Sequence, residues 1–130
     1  MIFAALAVAC VLLGSISAAA QEEIKIGTGA VLRGLDRLNG QVIDVEMPNA
    51  SVKRFWDIRV QLEECRYPAE DPAADAYAFM AIYENDKDDP VFYGWMIASS
   101  PALNPLEHPR YDIWVIRCKT ERGSVSTERE

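Results

Sequence analysis

Ile58-Arg59-Val60-Gln61-Leu62-Glu63-Glu64-Cys65 is the stretch whose reading decides the fold. Apolar and polar side chains alternate from Ile58 to Glu63, the period of two that a half-buried β-strand requires. Ile58, Val60 and Leu62 share a face, so an unbroken strand would carry Cys65 to the opposite, polar face. The second cysteine, Cys118, closes the run Tyr111 to Cys118, where it falls on the side of Trp114 and Ile116, which reads as core. For the two to meet, the first strand must change phase. The doublet Glu63-Glu64 is where it can do so, and the sequence predicts a bulge, or the strand's end, at that point.

That the two cysteines should meet follows from the N-terminus. Residues 1–20 carry no charged side chain, and Ile2 to Leu13 are almost wholly apolar. Small residues follow, with Ala18 and Ala20 in the arrangement that a signal peptidase cuts after. The apolar run is shorter than the ~20 residues of a membrane span. Residues 1–20 therefore read as a signal peptide, with an uncleaved anchor as the alternative, and the protein as periplasmic or secreted. Cys10 leaves with the signal. Two cysteines remain in a disulfide-permissive compartment, an even count that reads as one bridge, Cys65–Cys118. A metal site would need clustered ligands, yet the chain has no CxxC and a single histidine. Closing a loop of roughly 50 residues contributes about 4 kcal/mol in the chain-entropy account.

Residues 21–130 amount to one domain's worth of chain. They divide into an N-terminal linker (21–29), a β domain (30–118) and a polar tail (119–130). All 13 basic and all 20 acidic residues follow Ala20, so the formal charge of −7 belongs to this mature part. Such a balance argues against nucleic acid, which is bound by clustered Lys and Arg, and against anionic lipid. No stable membrane insertion is expected once the signal is cut, and no cofactor motif is present.

Outward from the central strand, short period-two runs alternate with turn formers. Ala30 to Asp36 reads as a strand, and Asn39-Gly40 as a hairpin turn in which both residues take positive φ. Gln41 to Met47 follows, with Ile43, Val45 and Met47 on one side, and Pro48-Asn49 turns the chain into Ser51 to Phe55. Tyr67 to Ala74 is a loop. Ala76 to Tyr83 and Val91 to Met96 form a strand pair around the acidic segment Glu84 to Pro90. The expected architecture is all-β, a compact sandwich or partly open barrel of six or seven short strands with one disulfide. Between Gly94 and Pro109, Ser100-Pro101 and Asn104-Pro105 each suit the start of a single helical turn, Glu107 completing a capping box for the second. Leu103 and Leu106 are expected to pin this crossover to the sheet.

Several blocks resemble a known family in order. They are Gly29-Ala30-Val31-Leu32-Arg33-Gly34-Leu35-Asp36, Cys65-Arg66-Tyr67-Pro68, Gly94-Trp95-Met96, Ala98-Ser99-Ser100-Pro101-Ala102-Leu103, and Glu107 to Val115 followed by Cys118. Together they resemble the bacterial family catalogued as domain of unknown function 2155, over roughly Gly27 to Cys118. The resemblance implies an exported cell-envelope protein whose two cysteines belong to the family pattern. It carries no assigned activity, so no catalytic residue is implied.

Three constellations bear on chemistry. Ser99, Ser100, His108 and Asp112 supply the residue types of a Ser-His-Asp triad. No nucleophile-elbow motif frames them, however, and both serines have a capping explanation. Glu84, Asp86 and Asp88 place carboxylates at alternate positions, as calcium loops do. The segment lacks the glycine and distal glutamate of an EF-hand, so a solvated hairpin turn is favoured over a weak cation site. In Val91-Phe92-Tyr93-Gly94-Trp95, bulky neighbours must point to opposite faces. Core or loop-covered positions are favoured for them; an exposed Tyr93 and Trp95 would mark a partner surface. The resulting expectation is a non-enzymatic interaction or assembly factor of the cell envelope with a protein partner. A cation- or small-ligand-binding module is the alternative, and a hydrolase the third reading.

Overall fold

The computed structural model describes residues 22–121, 123 and 124. The expected signal peptide with Cys10, and tail residues 122 and 125–130, lie outside the described residues. Those described form nine strands and no helix: β1 (Ile24–Ile26), β2 (Gly29–Asp36), β3 (Gln41–Pro48), β4 (Ser51–Phe55), β5 (Ile58–Pro68), β6 (Tyr77–Glu84), β7 (Phe92–Ile97), β8 (Tyr111–Thr120) and β9 (Gly123–Ser124). In the first of two open sheets, β1 and β4 both pair with β5, which is followed by β6 and β7. The second has the order β3-β2-β8-β9. One core lies between them, with Leu32, Met47, Ile113 and Val115 facing Phe55, Ile58, Val60, Leu62, Met80 and Ile82.

The all-β class and the single disulfide are as the sequence predicts; the strand count is higher. The two additional strands lie where periodicity is too short to register. Ile24–Ile26, within the expected linker, pairs with Arg66–Pro68. Lys119 and Thr120, expected in the tail, extend β8 and pair with Gly123–Ser124.

The phase change falls at the acidic doublet. Leu62 opposes Met80 and Glu64 opposes Phe79, leaving Glu63 as the extra residue of a bulge that turns Cys65 into the core. Cys118 relies on the same device, contrary to the sequence reading. Tyr111, Ile113 and Val115 are the buried residues of β8, while Trp114 and Ile116 are half-buried on its other side. Val31 opposes Arg117 and Leu32 opposes Val115, so Ile116 is bulged and Cys118 returns to the core. Apolar residues on both faces of this strand hid its phase. Each cysteine thus lies two residues past a bulge, and the bridge ties β5 to β8 with Cα atoms 5.6 Å apart.

The chain passes from the first sheet to the second beside this bridge. Gly27 donates its N–H to Cys65 O at 2.7 Å and Thr28 to Lys119 O at 2.8 Å. A Cβ on Gly27 would meet Lys119 O at 2.4 Å, so only glycine fits the crossing.

Two local expectations change. The β2–β3 connection is a four-residue loop, 37–40, in which Gly40 alone has positive φ (75°). Asn39 instead accepts the Gln41 N–H on its side-chain oxygen at 2.9 Å. The 98–110 crossover contains no helical turn: Pro105 and Pro109 follow Pro101 and Pro105 by four residues and cut each run off before a ladder can propagate, and Leu103 N–H closes only a turn on Ser100 O at 3.1 Å. Leu106 is buried there as expected, but Leu103 is 72 % exposed.

Candidate functional site

Two regions concentrate side chains that the core does not use. The first is the outward face of the sheet β1/β4-β5-β6-β7. Cross-strand register places Ile26, Arg66, Tyr77 and Ile97 in one row, Glu64, Phe79 and Trp95 in the next, and Gln61, Ala81 and Tyr93 in a third. Phe79 is the centre of an aromatic cluster. Tyr93 meets it edge-on with ring centroids 5.1 Å apart, and Trp95 lies tilted against it at 5.0 Å. The Arg66 guanidinium stands over the Trp95 ring at 5.1 Å and is steadied by Glu64 at 2.7 Å. Trp95 is half-buried, whereas Tyr93 is 67 % exposed, and Ile24, Ile26 and Val91 are exposed as well. Among the described residues no loop covers Tyr93, although the sequence favours a covered position. Asn104 donates its side-chain N–H to Trp95 O at 3.0 Å and so blunts the free edge of β7.

The second region is a cleft of about 510 Å³ at the opposite end of the sandwich from the disulfide, lined by Arg54, Asp57, Glu84, Asn85, Asp86, His108, Arg110 and Tyr111. Its floor is fixed. Asp36 lies in phase with Ala30 and Leu32 on the core side of β2 and is 1 % exposed. Arg110 grips it with two bonds, Nε to Oδ1 at 3.0 Å and Nη2 to Oδ2 at 2.9 Å. That pairing outweighs the desolvation of Asp36 and holds its carboxyl below the ordinary carboxylate range, while it raises Arg110. Tyr111 donates its hydroxyl to Asp57 Oδ2 at 3.1 Å; burial, more than that carboxylate, pushes the phenol up. Its ring stacks with Trp56 (5.4 Å, 6°) and with His108 (5.2 Å, 28°).

Trp56 opens the two-residue turn between β4 and β5 with a φ of +54°, a conformation that a bulky side chain adopts only under constraint. The constraint is visible: the stack on Tyr111, a bond from Nε1 to Gln41 Oε1 at 3.3 Å, and a bond from Arg54 Nε to Trp56 O at 2.8 Å. Gly34 makes room for the turn, since a Cβ there would stand 2.9 Å from Phe55 and 3.1 Å from Trp56.

The structure separates the residues of the suspected triad. Ser99 donates its hydroxyl to Asp75 Oδ2 at 2.6 Å, at the exit of β7. Ser100 takes part only in backbone bonds of the turn that follows. Asp112 pairs with Arg37 at 3.4 Å. His108 accepts the Arg110 and Tyr111 N–H groups on Nδ1, both at 3.1 Å, and turns Nε2 to Glu84 at 3.3 Å. Both ring nitrogens are therefore engaged, as in a structural histidine at a turn.

The acidic segment is likewise dispersed. Glu84 lies against Lys87 and His108, Asp86 is exposed and lines the cleft, Asp88 is exposed, and among the described residues no three His, Cys, Asp or Glu side chains converge as a metal site. Sequence reasoning missed Asp36, Trp56, Asp57 and Arg110. For Asp36 a signal existed: a charged residue in phase with a buried strand face needs a partner. For the others, contact across 50 or more residues leaves no local trace.

With this geometry in place, the comparisons can be read. The family model described as "Uncharacterized protein conserved in bacteria (DUF2155)" matches residues 30–118, from the second residue of β2 to the second cysteine. The chain belongs to this family. The matched span takes in both sheets and the disulfide of this chain, and β1, at 24–26, precedes it. An uncharacterized protein of Rickettsia prowazekii (strain Madrid E) is 29 % identical over 99 residues, which cover 74 % of this chain and 64 % of the relative's length. No solved structure matches the chain.

Proposed function

We propose that this DUF2155 protein is an exported interaction factor of the cell envelope. It would dock a protein partner on the outward face of β5-β6-β7 and catalyse no reaction. The observation that carries the reading is Tyr93, 67 % exposed on an aromatic cluster with Phe79 and Trp95. A ring two-thirds exposed gains little from burial beyond its edge contact with Phe79, whereas interfaces are enriched in Tyr, Trp and Arg. Arg66, held over Trp95 by Glu64, adds an oriented donor at the same place. Export is supported by the apolar leader of residues 1–20 and by a buried disulfide, which persists in oxidising compartments. The engaged nitrogens of His108 and the separation of Ser99, Ser100 and Asp112 speak against hydrolysis.

Crosslinking of the tagged protein in intact cells tests this proposal. One dominant partner is expected, and Tyr93→Ser should remove it while the melting temperature stays within about 2 °C of the parent, since the side chain is mostly solvated. A partner retained by Tyr93→Ser, or recovery of the protein alone, would overturn the assignment of this face.

A further inference from the structure

The cleft holds polar groups that the fold leaves unused. Arg54 spends only Nε, on Trp56 O, leaving both terminal nitrogens free. Asp57 uses Oδ2 for Tyr111, and its second oxygen has no partner among the described residues. The side chains of Asn85 and Asp86 make no bond there, yet their loop is held in place: Asn85 N donates to Asp57 O at 3.2 Å, and Arg59 donates to Asn85 O at 2.8 Å and Lys87 O at 3.4 Å. The remaining charges of the cleft are satisfied, Arg110 by Asp36 and Glu84 by Lys87 and His108. Among the described residues this leaves one cation and two carboxylates outside any ion pair, Asp57 with one oxygen still open, and one amide around about 510 Å³, a volume in the range of small-ligand sites.

We propose that this cleft binds a small zwitterion with one carboxylate and two ammonium groups, the charge pattern of a basic amino acid. The carboxylate would meet Arg54, and the two ammonium groups Asp57 and Asp86. Such a ligand neutralises the unpaired charges one for one, and the amide of Asn85 serves either end. The site is independent of the aromatic face and of whatever docks there.

Titration of the ¹⁵N-labelled, disulfide-bonded protein with L-lysine, followed by amide chemical shifts, tests the proposal. Butylamine, which keeps one ammonium group and lacks the carboxylate and the second ammonium, serves as control at matched ionic strength. Saturable shifts at Asp57, Asn85 and Asp86 are expected with L-lysine, and butylamine should bind about a hundredfold more weakly, the equivalent of two lost charge-assisted contacts at about tenfold each. Asp86→Asn should weaken lysine about tenfold; its side chain is exposed and unpaired, so the fold is not at stake. Arg54→Gln should weaken lysine but leave the butylamine response unchanged. Absence of saturable shifts, or equal binding of butylamine and lysine, would overturn the proposal.

Discussion

At one end of the sandwich, Cys65 and Cys118 join β5 to β8 by a covalent bond buried between two bulges. At the other, the sheets meet through polar and aromatic contacts. Tyr111 of β8 bonds to Asp57 and stacks on Trp56 of the β4–β5 turn, while His108 faces Glu84 of β6. Asp36 and Arg110 fix the second sheet's side of that junction. At the covalent end the bridge itself is apolar, with Cys65 and Cys118 fully buried. The polar end gathers Asp57, Glu84, His108 and Arg110 and carries the cleft. A β-sandwich tied at one end can leave the other to shape a site, because its stability does not depend on packing both ends shut.

Breaking the covalent end should give the largest effect. Replacing both cysteines by serine frees a 53-residue span in the unfolded chain and is expected to cost about 4 kcal/mol, with a further cost for two hydroxyls buried in an apolar setting. Urea denaturation of the oxidised parent against the double variant measures it. Loss below about 1 kcal/mol would mean that the bridge is incidental to the fold.

The sequence revealed the covalent end more fully than the polar one, for a physical reason. Period-two alternation through Leu62, a cysteine out of phase and the doublet Glu63-Glu64 together located the first bulge. The second stayed hidden because Trp114 and Ile116 offered β8 a second apolar face. At the polar end the sequence marks Glu84, Asp86 and His108 without joining them, and the trace it leaves unused is Asp36, a charge in phase with Leu32. Its partner Arg110 lies 74 residues away, and Trp56 meets Tyr111 across 55 residues, pairings that only the folded sheets create.

Breaking the polar end should give a smaller effect that depends on pH. The Arg110 bonds hold the Asp36 carboxyl below its ordinary value. Its stabilising contribution is therefore complete above the unfolded carboxylate pKa of about 3.9 and is lost as pH falls through the lower folded value. Melting temperature is expected to fall on acidification in the parent and to fall less steeply in Asp36→Asn, which starts lower at neutral pH. Arg110→Gln should be the more damaging of the two at neutral pH, since it strands a buried carboxylate, whereas Asp36→Asn leaves a guanidinium that solvent can reach. Parallel pH profiles for the parent and Asp36→Asn would show that this pair does not govern the acid limb.

The finest contrast lies in β4, whose two flanking turns each place a non-glycine residue in the left-handed region: Ala50 (φ 57°) towards the disulfide and Trp56 (φ 54°) at the cleft. Each conformation costs about 1 kcal/mol that glycine would not incur. The same substitution should nevertheless act in opposite directions. Trp56→Gly removes a half-buried ring stacked on Tyr111 and bonded to Gln41, so the lost packing outweighs the relief and the domain is expected to lose about 2 kcal/mol. Ala50 is exposed, and its noted role is to donate its N–H to Glu63 O at 3.1 Å, a bond that glycine keeps. Relief exceeds the roughly 0.5 kcal/mol by which glycine favours the unfolded chain, so Ala50→Gly should stabilise by about 0.5 kcal/mol. Denaturation midpoints of the two variants decide the matter. Opposite signs would mean that strain at the disulfide end is incidental while strain at the cleft is maintained by the stack that shapes it, and equal signs would remove that distinction between the two ends.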